Sequence, residues 1–167
     1  MFELSHIHPM IVHFPIALLI VGFLTDLVGL ITKREFFSNA GFYLLILGTL
    51  GVIAAYISGE YAGDGVSESG SLGKALEIHE SAAWLTLWLM IGTALVRIAS
   101  VVFKKYKGVL KIVAIVLFFA GVLSIARTGY YGGELVFKHA AGVQLNLGLD
   151  FNSLNSENPV SDEAAED

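Results

Sequence analysis

The stretch Met10-Ile-Val-His-Phe-Pro-Ile-Ala-Leu-Leu-Ile-Val-Gly-Phe-Leu-Thr-Asp-Leu-Val-Gly-Leu-Ile31 decides the fold. It holds one acid, Asp26, and no lysine or arginine. A helix that crosses a bilayer needs about 20 predominantly apolar residues, and this run supplies them. Met1-Phe-Glu-Leu lacks the basic start of a signal peptide, and no small-x-small cleavage site precedes Lys33. The run therefore reads as a retained membrane helix.

Three further runs have the same character: Ala40–Ser58, Ala82–Phe103 and Val109–Ile125. The 167 residues are 55% hydrophobic and 15% charged, with mean hydropathy +0.71, outside the soluble range. The expected fold is all-α: an integral-membrane four-helix bundle over residues 1–143, then a polar, acidic tail over 144–167. From Val143 to Phe151 apolar residues alternate with polar or small ones in the strand period, which predicts a short extended segment. The acidic, Ser/Asn-rich remainder predicts disorder. The absence of cysteine excludes disulfides, iron–sulfur clusters and thioether-attached haem. No basic, aromatic-interleaved surface points to nucleic acid.

Charge sets the expected orientation. Lys33, Arg34, Lys104, Lys105, Lys107 and Lys111 flank one side of the runs, with Glu35 as the lone acid there. The other side carries Glu3, Glu60, Asp64, Glu68, Glu77, Glu80 and Glu134, with Lys74, Arg127 and Lys138. Basic residues stay cytoplasmic, so both termini are expected outside, periplasmic to a bacterial inner membrane. All five histidines (His6, His8, His13, His79 and His139) then share the outer face. Imidazole is the side chain best suited to bind haem iron, copper or zinc near neutral pH.

Within His8-Pro-Met-Ile-Val-His13-Phe-Pro15, Pro9 suits a first helical turn. Pro15 disfavours helical angles at Phe14. A kink or restart beside His13 is expected, aiming that ring across the bundle. His8 is a second candidate ligand, and His6 a surface residue. The alternative is an entry motif in which His8 caps the helix and His13 bonds a loop carbonyl. His79 heads the stripe His79, Ala83, Thr86, Met90, Thr93, Arg97, small or polar at helical spacing and so expected to face protein. Helix four is expected to end near Ser124–Arg127, where Gly129, Gly132 and Gly133 permit a sharp turn or a close approach. Arg127 is placed to hold a haem propionate, or to pair with Glu80 or Glu60. His139 is a further candidate ligand. Gly51, Ala55 and Gly59 form a small-residue packing face, which would also make room for a porphyrin edge. Asp26 and Arg97 each lie seven residues before a cytoplasmic lysine and are expected to pair, with helices one and three side by side.

These motifs resemble the bacterial membrane domain catalogued as domain of unknown function 2231. The resemblance rests on His8-Pro-Met-Ile-Val-His13-Phe-Pro-Ile-Ala-Leu18, on His79, and on Gly132-Gly-Glu-Leu-Val-Phe-Lys-His139-Ala-Ala-Gly-Val143. It covers about Ser5 to Val143. It implies a four-helix inner-membrane domain whose pattern falls on His8, His13, His79 and His139. Some relatives look fused to Rieske-type or cytochrome c domains, which implies work beside an electron-transfer chain. No such fusion is present in this sequence, so the partner would be a separate chain.

Three functions compete. In the first, haem b is ligated by His13 and His79, with His8 and His139 in reserve, and serves electron transfer to a periplasmic cytochrome, a Rieske-type protein or a respiratory complex. In the second, three or four imidazoles, with Glu60 or Glu80, bind one copper, zinc or iron ion. In the third, a cofactor-free subunit has a structural or assembly role. An electron-transfer or accessory subunit is favoured over a stand-alone enzyme, and no catalytic residue is assigned.

Overall fold

A computed structural model describes residues 7–64 and 70–143. The helices are α1 (Ile7–Ile11), α2 (His13–Thr32), α3 (Glu35–Gly63), α4 (Gly70–Val102) and α5 (Gly108–His139). With α1 and α2 taken as one rod, four helices of 26, 29, 33 and 32 residues are long and apolar enough to cross a membrane. His6, Glu3, Glu68, the extended segment expected beyond Val143 and the acidic tail lie outside the described residues.

Each helix buries one narrow stripe. On α2 it is Pro15, Leu19, Gly22, Asp26 and Gly29, spaced by threes and fours as a helix packed on one side requires. On α4 it is Ala82, Thr86, Met90, Thr93, Ala94, Arg97 and Ser100, the stripe expected from the sequence. Leu19, Leu45, Val52, Met90, Phe118 and Ile125 form the shared core. The outward rows, among them Leu24, Leu47, Leu95 and Val116, are apolar and exposed, which suits lipid and not water.

The helices form a ring. α2 packs on α3 and α5, and α4 packs on α3 and α5. Among the described residues, α2 and α4 make no backbone contact, so they stand on a diagonal. α2 and α3 come closest, because Gly22, Gly29, Gly41 and Gly48 leave no side chain between them. A Cβ at Gly48 would lie 2.6 Å from the Leu19 side chain, and one at Gly41 2.8 Å from Asp26. In lipid, with no hydrophobic drive between helices, such close packing holds them together.

Asp26 and Arg97 span the diagonal. Arg97 Nη1 donates to Asp26 Oδ2 at 3.1 Å and Nη2 to Oδ1 at 3.0 Å. Nη2 also donates to the Ser38 carbonyl at 2.9 Å. The Tyr106 ring covers the guanidinium at 3.4 Å, and its hydroxyl donates to Asp26 Oδ2 at 3.3 Å. The side-by-side arrangement expected from the pairing is therefore not what occurs: arginine is long enough to reach across the bundle. At this basic end Lys33 and Lys104 take left-handed angles (φ 58° and 54°) at the helix exits.

The opposite end overhangs. The polar loop expected over Gly59–Glu77 shrinks to a short link, because α3 continues to Gly63 and α4 begins at Gly70. α5 likewise does not stop near Arg127 but runs unbroken to His139, closed by Ala140 in the left-handed region (φ 52°). Its glycines do not turn the chain; Lys138 and His139 in the last turn suit the negative end of the helix dipole.

Candidate functional site: a pair of imidazoles at the bundle mouth

The helix restarts at His13 and not at Pro15. α1 ends at Ile11, Val12 forms the joint, and Pro15 sits in the first turn of α2, with Phe14 helical before it. Pro15 has no N–H to offer the carbonyl one turn back, so the break falls there. His8 is half-buried and His13 exposed, the His13 Nδ1 donating to the Pro9 carbonyl at 2.6 Å. The alternative entry role for His13 expected a loop carbonyl, whereas Pro9 lies within α1.

His8 rests on α3. Its Nδ1 lies 3.0 Å from Ser58 Oγ, and Ser58 Oγ donates its proton to the Ala55 carbonyl at 3.0 Å. A hydroxyl has one proton, so Ser58 must accept from His8 and the His8 hydrogen sits on Nδ1. Gly59 makes the approach possible: a Cβ there would stand 3.0 Å from His8 Cε1. The packing face of Gly51, Ala55 and Gly59 thus serves the N-terminal rod, with Gly51 against Pro15.

His79 repeats the arrangement on α5. Its Nδ1 donates to the Thr128 carbonyl at 3.2 Å, and a Cβ at Gly132 would stand 3.2 Å from its Cε1. Beneath it, Thr86 Oγ1 is 2.7 Å from Ser124 Oγ and 2.8 Å from Thr128 Oγ1, tying α4 to α5 under the ring. Both histidines are half-buried, and they lie within electrostatic range of each other. Nε2 takes no part in the Ser58 and Thr128 bonds, and the His8 ring also reaches the Ala55 carbonyl.

The placement has a simple origin. His8 precedes Asp26 by 18 residues, and His79 precedes Arg97 by 18. Eighteen residues are about five turns and about 27 Å, so each imidazole returns to the face and level set by the ion pair below. Two diagonal helices are thereby bridged at one end by Asp26 and Arg97, and at the other carry His8 and His79.

The other candidates stand apart. His139 lies seven residues beyond Gly132 on α5, about 10 Å further out. Arg127 is exposed and lies 5.4 Å from the Tyr131 ring centroid. Among the described residues no three His, Cys, Asp or Glu side chains converge as metal ligands. Ser58 and Thr128 did not emerge from the sequence as parts of the site, whereas Gly59 and Gly132 did so only as room for a flat cofactor. The equal 18-residue intervals were the signal that would have found the pair.

A family model described as "Predicted membrane protein (DUF2231)" matches residues 5–145. No curated protein and no solved structure matches the chain. The chain belongs to that family of membrane proteins.

Proposed function

We propose that this family member is a bacterial inner-membrane electron-transfer protein, termini periplasmic, whose His8 and His79 ligate haem b. The observation that carries the proposal is the matched anchoring of the two rings. Each is held to the protein through Nδ1, with Nε2 outside those bonds, much as a metal-binding histidine is oriented by a partner on its other nitrogen. Two imidazoles from facing helices are a full axial set for a six-coordinate haem, whereas a lone metal ion asks for three or more protein ligands.

The chain's own contribution is orientation. Ser58 and the Thr128 carbonyl fix the tautomers, Gly59 and Gly132 let the rings lie against backbone, and the diagonal ion pair holds the two helices in register. Haem, when bound, supplies single-electron transfer. The overhanging helix ends and acidic surface at this end suit a separate periplasmic redox partner.

The test is an oxidised-minus-reduced spectrum of the protein purified in mild detergent from haem-replete cells. A Soret band with a sharp reduced α-band is expected, lost in His8→Ala and in His79→Ala and kept in His13→Ala and His139→Ala. A spectrum that survives both of the first two substitutions overturns the ligand assignment. Absence of haem together with stoichiometric copper, zinc or iron overturns the cofactor.

A further inference from the structure

At the basic end, Lys111 stands in the first turn of α5 and is half-buried. Its ammonium lies 5.6 Å from the centroid of the Tyr106 ring and within electrostatic range of Asp26 on α2. Asp26 is already committed, because Arg97 takes both of its oxygens and the Tyr106 hydroxyl bonds one of them. Lys111 itself has no ion pair or hydrogen bond among the described residues. Arg97 Nε is wholly buried and likewise lacks an acceptor there. The one further acid at this end of the sequence, Glu35, opens α3 and is exposed. The cluster therefore sets two cations, Arg97 and Lys111, against one carboxylate, and it is short of acceptors.

We infer that the basic end of the bundle, where α2 and α5 meet, binds the phosphate of an anionic phospholipid through Lys111. A half-buried ammonium beside a carboxylate that is already paired has an unmet need for negative charge. A phosphodiester brings one negative charge, which balances the cluster, and its free oxygens only accept hydrogen bonds. Lysine meets phosphate as a point charge, so one ammonium suffices. The surroundings select a lipid over a free anion: Ile31, Val109 and Ile112 lie near this level and are 73%, 77% and 57% exposed, a bed for acyl chains. Lys104, Lys105 and Lys107 are exposed at the same corner and attract anionic headgroups to it. A lysine that only snorkels to water would not prefer one lipid to another, which the test below decides. The inference does not depend on the haem.

The test is native mass spectrometry of the full chain in a neutral detergent, titrated with dioleoyl phosphatidylglycerol and, separately, with phosphatidylcholine of the same tails. The first phosphatidylglycerol is expected to bind about tenfold more tightly than phosphatidylcholine, as a charge-assisted contact requires. Lys111→Gln should remove that preference and Lys111→Arg should keep it. Lys107→Gln, which neutralises an exposed lysine of the same corner, should change it little. Equal binding of the two lipids by the unmodified chain overturns the site, whatever the variants do. Equal losses in Lys111→Gln and Lys107→Gln overturn it in favour of a diffuse basic surface. Displacement of the bound lipid by millimolar inorganic phosphate overturns the lipid in favour of a free anion. Circular dichroism is read on each variant, and removal of an unpaired cation should leave helix content unchanged.

Discussion

Asp26 and Arg97 form a two-point ion pair across the diagonal of the bundle, both side chains almost wholly buried (4% and 3% exposed). Breaking a buried pair by removing one partner costs about 3–5 kcal/mol, because a charge is left without compensation. Asp26→Asn and Arg97→Gln are each expected to destabilise the bundle by about 3 kcal/mol. The double variant should lose much less than the sum of the two. Unfolding in mixed detergent micelles, run as a double-mutant cycle, measures the coupling, and simple additivity would refute it.

Tyr106 contributes a face and a hydroxyl to the same cluster. Tyr106→Phe keeps the ring over the guanidinium and loses one bond to Asp26, so its cost should stay within about 1 kcal/mol. Tyr106→Ala removes a desolvated cation–π contact and should cost about 2 kcal/mol or more. The same unfolding assay ranks the two variants, and an equal effect would show that the ring face does nothing.

Ser58→Ala leaves His8 in place but without its Nδ1 acceptor. Loss of such an outer partner lowers metal affinity by about 10–100-fold. Haem retention during dilution should fall accordingly, whereas Ser81→Ala, outside the His8 contacts, should leave it unchanged. Equal retention in both variants counts against the Ser58 assignment.

Gly59→Val and Gly132→Val place atoms where the imidazoles lie, at 3.0 and 3.2 Å from a ring carbon even for the first added carbon. Each is expected to displace its own histidine and abolish the haem spectrum while circular dichroism still reports four long helices. Gly92→Val, at a glycine with open space around it, is the control that should change neither. Haem bound at the native level in the Gly59 and Gly132 variants would contradict the site.

The four spans were legible in the sequence because a chain seldom carries apolar runs of that length unless they sit in a bilayer. The α4 stripe from Thr86 to Arg97 was legible for a related reason: polar residues inside a membrane helix must face protein. The helix ends were not. Gly129, Gly132 and Gly133 carry a strong turn signal, yet α5 passes through them, since Gly132 is needed for closeness to His79 and not for its backbone freedom. His13 stands out in the sequence because it sits beside Pro15. Spacing favours His8 instead, which lies seven residues before the buried Pro15 and 18 before Asp26. The proline beside His13 is the louder local signal, but it does not set which ring faces inward.

One diagonal of the ring is braced, and the other is slack. Asp26 locks α2 to α4, while no comparable tie joins α3 to α5 among the described residues. Thermal breathing should therefore part the closely packed α2–α3 pair from the α4–α5 pair, which meet each other less extensively, with the ion pair as the hinge. His8 and Gly59 lie on one pair and His79 and Gly132 on the other, so the mouth would widen between the imidazoles while the hinge stays closed.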